Sequence, residues 1–141
     1  MAKYIKPTLE TRFHIDFGWW QKQGRNLRVD LLSHACPEAR EARNNPDLPE
    51  TFDWIDPETG EVFNIDILWH LIHTHCGQET AFIDERTPLT TAIFRAFIAA
   101  NNKPMTVVEL QEKIHKKTPD LILKTIGGRR VFKGIRPVQR G

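Results

Sequence analysis

The last third of the chain carries three closely spaced helix starts, and they constrain the possible fold more than any other part of the sequence. Thr87-Pro88 forms the first, because a hydroxyl can cap a helix and proline is tolerated in its first turn. Thr106 and Glu109 form the second, at the spacing of a capping box. Thr118-Pro119 repeats the cap-then-proline pattern of the first. The sequence therefore predicts three short helices between residues 87 and 128.

Apolar residues recur at three- and four-residue steps after these starts, as they do on amphipathic helices. In the third helix we expect an inward face, made of Leu121, Ile122, Thr125 and Ile126. Gly127-Gly128 is expected to end that helix. Residues 129–138 are basic and β-prone, with Lys133-Gly134 either at the tip of a turn or placing a bulge in one strand.

This order of elements resembles a winged helix-turn-helix domain over residues 87–138: helix, short extended piece, helix, turn, helix and a basic wing. The resemblance implies that the third helix lies in the DNA major groove. Its outward residues would then be Asp120, Leu123 and Lys124. The chain as a whole also resembles small uncharacterised bacterial proteins, which implies no particular activity.

Charge is divided unevenly along the chain. Residues 103–141 hold ten Lys/Arg and three Asp/Glu, a net charge of 10 − 3 = +7, and residues 1–102 hold the remaining ten Lys/Arg and 15 Asp/Glu, or −5. A concentrated positive field favours a polyanionic partner. The sequence therefore predicts a nucleic-acid-binding protein, with double-stranded DNA as the first candidate.

Most of the cations in this basic part lie in the predicted turn and wing and not on the third helix. No arginine lies on that helix to pair with guanine, so we expect phosphate contacts to dominate over base contacts. Five or six such contacts would give a log–log salt slope of about −5. The predicted nucleic-acid-binding residues are Lys116, Lys117, Asp120, Leu123, Lys124, Arg129, Arg130, Lys133 and Arg136.

A second interpretation is a non-enzymatic interaction subunit that uses the winged helix as a protein-docking surface, since a fold alone does not fix a function. In either case we expect a homodimer or a protein partner. We infer no small-molecule ligand. We also expect no membrane partner, because no apolar run approaches about 18 residues. A cytoplasmic regulator or adaptor fits the absence of a secretory signal at the start of this sequence.

In the front part, residues 1–86, the sequence predicts short helices and one β-hairpin. The whole chain is therefore expected to be α+β, with a second domain at residues 87–141. Asp16, Asn26 and Asp66 are placed to cap helices, and Pro37 to open one. The segment from Asp56 to Gly60 predicts a hairpin turn between two β-rich runs. We expect the tryptophans to anchor the core.

Histidines and cysteines cluster at residues 34–36 and 70–76. In a cytoplasmic protein Cys36 and Cys76 are expected to be free thiols or metal ligands, and a disulfide is not expected. The candidate zinc ligands are Cys36, His73, His75 and Cys76. Without a recognised zinc spacing, the expected cofactor is none, with zinc as the alternative.

An enzyme is the least favoured class. Asp66 and His70 could serve acid–base chemistry, but Asp66 is already explained as a helix cap. No nucleophile elbow or phosphate-binding loop is present in the sequence. We therefore expect no catalytic residues.

Overall fold

The computed structural model of the chain describes residues 5–138, and Arg140 of the basic segment 103–141 lies outside them. Within that range the architecture is α+β, with seven helices and two small antiparallel sheets. The elements in order are β1 (Phe13–Ile15), α1 (Phe17–Lys22), α2 (Leu27–Leu32), α3 (Pro37–Ala42), β2 (Thr51–Ile55), β3 (Val62–Asp66), α4 (Ile67–His75), α5 (Leu89–Ala99), α6 (Val107–Ile114), α7 (Pro119–Ile126) and β4 (Ile135–Pro137). A short 3₁₀ turn, Thr80–Phe82, lies between α4 and α5.

The helix starts follow the predicted caps. The side chains of Asp16, Asn26, Asp66 and Thr118 each accept a hydrogen bond from a backbone N–H in the first turn of the helix that follows. Both halves of the Thr106–Glu109 capping box form at the start of α6. Local polar groups that satisfy otherwise unpaired N–H groups therefore set these boundaries.

The predicted cap of α5 is wrong. Pro88 occupies the capping position, and no side chain bonds to the first turn. The Thr87 hydroxyl instead donates to Asp84 Oδ1 at 3.1 Å and accepts from the Asp84 N–H at 3.0 Å. The hydroxyl is therefore used by the turn that precedes the helix.

The predicted hairpin is confirmed. Strands β2 and β3 pair from Thr51 opposite Asp66 to Ile55 opposite Val62. Asp56 Oδ1 accepts from the Glu58 N–H at 2.8 Å inside the turn, and Gly60 has φ +77°. An aspartate that bonds its own backbone and a glycine with positive φ are what such a turn requires.

The other sheet joins the two ends of the chain. Strand β1 pairs antiparallel with β4, and Phe13 also bridges Met105 on its other side. Strand β1 therefore lies between the extended residue before α6 and the last strand. Lys133-Gly134 is a tight turn, because Phe132 and Ile135 on either side of it form a bridge. Of the two predicted alternatives, the structure shows the turn tip.

One hydrophobic core includes β1, the front helices and all three rear helices. Trp20, Trp54 and Trp69 are buried in it, which confirms the prediction that tryptophans anchor the core. The indole N–H groups of Trp54 and Trp69 both donate to Asn101 Oδ1, at 3.2 and 2.9 Å. The division into residues 1–86 and 87–141 stays a prediction, and both this core and the β1–β4 pairing cross it.

Candidate nucleic-acid interface

Helices α6 and α7 are joined by a four-residue turn, residues 115–118. His115 and Lys117 in this turn have φ +54° and +59°, a left-handed conformation taken here without glycine. The Gln111 side chain donates to the Lys117 carbonyl at 3.4 Å and braces the turn. The turn connects the two helices, and Asp120, Leu121 and Lys124 of α7 are exposed after it.

The exposed face of α7 differs from the predicted one. Leu121 is 41% exposed, whereas Leu123 is half-buried and packs against the core. The buried positions of the helix are Ile122 and Ile126, and Leu123 lies three residues before Ile126 and packs against the same core. The prediction of Leu121 as inward and Leu123 as outward was therefore wrong. Asp120 and Lys124 are exposed as expected.

Four cations are exposed along α7 and the segments that flank it: Lys117, Lys124, Arg129 and Arg130. Among the described residues, no carboxylate forms an ion pair with Lys117, Lys124 or Arg130. Leu121 and Lys124 are three residues apart on α7, which places them on one side of the helix, and Lys117 lies in the turn before it. This basic face is defined by Lys117, Lys124, Arg129 and Arg130, with Leu121 among them.

The remaining predicted cations are held by other parts of the molecule. Lys116 Nζ donates to the Glu85 carbonyl at 3.0 Å. Lys133 Nζ lies 3.0 Å from Asp30 Oδ1, and an Arg136 guanidinium nitrogen lies 3.4 Å from Asp16 Oδ2. Both acids belong to the front part, whose negative charge is therefore used in part to neutralise the wing. Lys116, Lys133 and Arg136 are therefore engaged by other groups of the protein.

Asp30 sits in a small polar network under the wing. His34 Nδ1 accepts from Arg95 Nε at 3.1 Å, so that the other ring nitrogen carries the proton in the neutral ring. That nitrogen, Nε2, faces Asp30 Oδ2 at 3.6 Å, too far for a strong hydrogen bond. Burial alone would raise the pKa of Asp30, but the facing His34 and the Lys133 ammonium outweigh it and hold the pKa below its ordinary value.

Replacing Asp30→Asn is expected to lower the free energy of unfolding by about 1–2 kcal/mol at pH 7. A carboxyl with a depressed pKa in the folded state contributes stability above about pH 4, and loses it as the pH falls through the folded-state pKa. The deficit of the variant should therefore shrink between pH 5 and pH 3. Urea unfolding over this range measures it, with the exposed Asp47→Asn as control. A deficit that is constant with pH would assign Asp30 a packing role.

The expectation that the cysteines are unpaired was wrong. Cys36 and Cys76 form a disulfide with a Cα–Cα distance of 5.8 Å. Cys36 precedes α3 and Cys76 ends α4, and packing of these two helices brings together residues that are 40 positions apart. The expectation rested on the presumed compartment, which carries no information about distance in the fold.

The alternative zinc set is likewise not assembled. The two sulfurs are bonded to each other and cannot act as thiolate ligands in this form. His73 Nδ1 is 3.0 Å from the Ile98 carbonyl, and His75 is exposed. Within residues 5–138, one group of three potential ligand atoms lies within 4.8 Å of one another. These atoms belong to Cys36, Glu38 and Glu79. The sequence reasoning missed both glutamates, although each lies within three residues of a cysteine.

The Asp66–His70 pair has structural partners. Asp66 accepts from the Leu68 N–H at 2.9 Å and from Arg28 Nε at 2.8 Å, which uses both carboxylate oxygens. The His70 ring contacts the Phe52 ring, with centroids 5.6 Å apart. The structure therefore places Asp66 as a cap and an ion-pair partner at the start of α4.

Within the described part of the chain, no helix is both long enough and apolar enough to cross a bilayer. No protein-family model, no curated protein and no solved structure matches this chain.

Proposed function

We propose that residues 87–138 form a winged helix-turn-helix domain that binds double-stranded DNA mainly through its phosphate backbone. The observation that carries this function is the basic face, where four cations lie exposed along one helix and its flanking segments. Its charge matches a polyanion, and its position on and beside the exposed side of α7 leaves room for a duplex.

The order of elements supports the fold. Helix α5 is followed by the extended residue Met105, then by α6, the short turn and α7, and then by the tight Lys133-Gly134 turn and β4. Met105 and β4 both pair with β1, so the front part supplies the strand between them. In this arrangement the wing is a short turn anchored to the front part.

On DNA, α7 would present few base-reading groups. Leu121 could contact a thymine methyl group and Asp120 could accept from cytosine, while Lys117 and Lys124 would reach phosphates. Lys133 and Arg136 are neutralised by Asp30 and Asp16 and are left out of the contact set. Modest sequence selectivity follows, because most of the binding energy would come from phosphates.

Salt dependence tests this function. Four phosphate contacts predict a log–log salt slope of about −3.6 on random-sequence duplex. The double variant Lys117→Glu with Lys124→Glu should reduce the slope by about 2 units and weaken binding by about tenfold or more. Fluorescence anisotropy of a labelled duplex between 50 and 200 mM salt measures both.

The matched control is the double variant Lys22→Glu with Lys103→Glu. Lys22 lies in the last turn of α1 as Lys124 lies in the last turn of α7, and all four lysines are exposed. The total charge change is the same. Equal losses in both double variants would show that net charge and not the basic face governs binding. A wild-type slope near zero would remove DNA as the partner.

Protein docking is the second candidate, and the pairing of Lys133 and Arg136 with front-part acids favours it. Two of the wing cations are then structural, and Leu121 offers an exposed apolar side chain on the same side of α7 as Lys124. A partner captured in high salt after nuclease treatment, and lost on Leu121→Asp, would establish this role in place of DNA binding.

The proposed role is that of a non-enzymatic cytoplasmic regulator or adaptor, acting as a homodimer or with a protein partner. Disulfides are uncommon in the cytoplasm, so Cys36 and Cys76 would be reduced there. Sedimentation of the reduced chain across a concentration series tests the dimer.

A further inference from the structure

Four side chains with metal-binding donor atoms meet where α3 begins and α4 ends. Cys36 precedes α3 and Glu38 lies in its first turn, while Cys76 follows α4 and Glu79 comes three residues later. The Cys36 sulfur and one carboxylate oxygen from each glutamate lie within 4.8 Å of one another. The Cys76 sulfur is bonded to that of Cys36. Three donor atoms therefore converge, and the Cys76 sulfur adjoins them through its bond to Cys36.

The two carboxylates form no ion pair with a basic side chain among residues 5–138. Glu38 and Glu79 are exposed, and neither side chain makes a hydrogen bond or an ion pair with a described residue. Carboxylates this close repel each other, and a cation between them removes the repulsion. Their convergence beside two sulfurs is what a cation site would require.

The sulfurs are supported from the protein side. The Cys36 backbone N–H donates to Cys76 Sγ at 3.2 Å. A hydrogen bond to sulfur stabilises negative charge on it and orients it, as the outer contacts of metal ligands do. Cys76 is fully buried, Cys36 is half-buried and the glutamates are exposed, so the cluster opens to solvent on one side.

We infer that the reduced chain binds one zinc ion through Cys36, Cys76, Glu38 and Glu79. Zinc accepts thiolate and carboxylate ligands in four-coordinate sites, whereas calcium and magnesium prefer oxygen alone. This site is independent of the proposed nucleic-acid binding. It uses two glutamates in place of the predicted histidines, and His73 Nδ1 lies at hydrogen-bond distance from the Ile98 carbonyl.

The disulfide and the zinc-bound form exclude each other, because both use the same two sulfurs. A dithiol reductant supplies two electrons and two protons to the disulfide, which becomes two thiols while the reductant forms its own disulfide. Zinc then displaces one proton from each thiol as the two Zn–S bonds form. The two cysteines thus link α3 and α4 either covalently or, together with the two glutamates, through the metal.

Cobalt titration tests the site. The full chain is reduced with a dithiol, freed of reductant under argon and titrated with Co²⁺, whose visible and near-ultraviolet bands report tetrahedral coordination and sulfur ligation. We expect one equivalent bound, its displacement by Zn²⁺, and no binding to the oxidised chain. Circular dichroism records the fold before each titration.

The glutamates decide between this site and a simple dithiol chelate. Glu38→Gln with Glu79→Gln should weaken Zn²⁺ binding by at least about tenfold, whereas the exposed pair Glu50→Gln with Glu61→Gln, at the β2–β3 hairpin, should leave it unchanged. Both double variants retain the cysteines and the buried core, so folding is preserved. Unchanged affinity in the first variant would overturn the site, as would a reduced chain that unfolds and does not refold when Zn²⁺ is added.

Discussion

Asn102→Asp is expected to lower the free energy of unfolding by about 4 kcal/mol at neutral pH, the largest loss predicted for a single isosteric change in this chain. Asn102 is 2% exposed and lies just past the end of α5. Its amide donates to the Ile15 carbonyl and its oxygen accepts from the Ile15 N–H, both at 2.8 Å. The side chain thus serves as a substitute strand partner for β1.

The introduced carboxylate would keep the acceptor and lose the donor. It would face the Ile15 carbonyl in a buried site, which disfavours its charged form and raises its pKa above the value in the unfolded chain. With a raised folded-state pKa, the loss of stability is smallest below about pH 4 and grows as the pH rises toward the folded-state value. Protonated, the group can again donate to Ile15.

Chemical unfolding of Asn102→Asp between pH 3 and pH 7 measures this effect. Asn102→Ala is the comparison, because it removes both bonds and introduces no titrating group, and should cost about 3 kcal/mol at every pH. Parallel pH profiles for the two variants would contradict the paired hydrogen bonds as the source of the stability. No change in either variant would show that β1 is held by its strand neighbours alone.

The Asn102–Ile15 contact also marks the limit of what the sequence could predict. Caps such as Asp66 and the Thr106–Glu109 box depend on residues within one helical turn, so local pattern was sufficient. Ile15 and Asn102 are 87 positions apart, and no local pattern links them. The same holds for Cys36 with Cys76.

The candidate nucleic-acid interface was predicted only in part, because local patterns do not show contacts between residues that are far apart in the sequence. Sequence patterns placed Lys117 in a turn and Lys124 on an exposed helix position, because turn residues and helical periodicity are local features. These patterns could not show that Lys133 meets Asp30, or that Arg136 meets Asp16, since both acids lie more than 100 positions earlier in the chain. Total charge in a segment therefore overestimates the charge that a partner can reach.

Gly134→Ala is expected to cost about 3 kcal/mol, the second large effect. Gly134 has φ +78°, and a methyl group there would lie 2.7 Å from Trp20 Nε1 and 2.9 Å from Trp20 Cδ1. Trp20 is 3% exposed and its indole N–H donates to the Lys133 carbonyl at 3.1 Å, so the ring has little room to move. Left-handed strain adds about 1 kcal/mol and the forced repacking about 2 kcal/mol.

Gly24→Ala separates these two contributions. Gly24 has φ +63°, and nothing lies within 4 Å of the position that its Cβ would occupy, so only the backbone strain of about 1 kcal/mol should appear. Denaturant unfolding followed by tryptophan fluorescence measures both variants. Equal losses would mean that the Lys133-Gly134 turn moves freely relative to Trp20. A threefold larger loss at Gly134 would show that the front part fixes the wing in place, because the same turn carries Lys133 to Asp30.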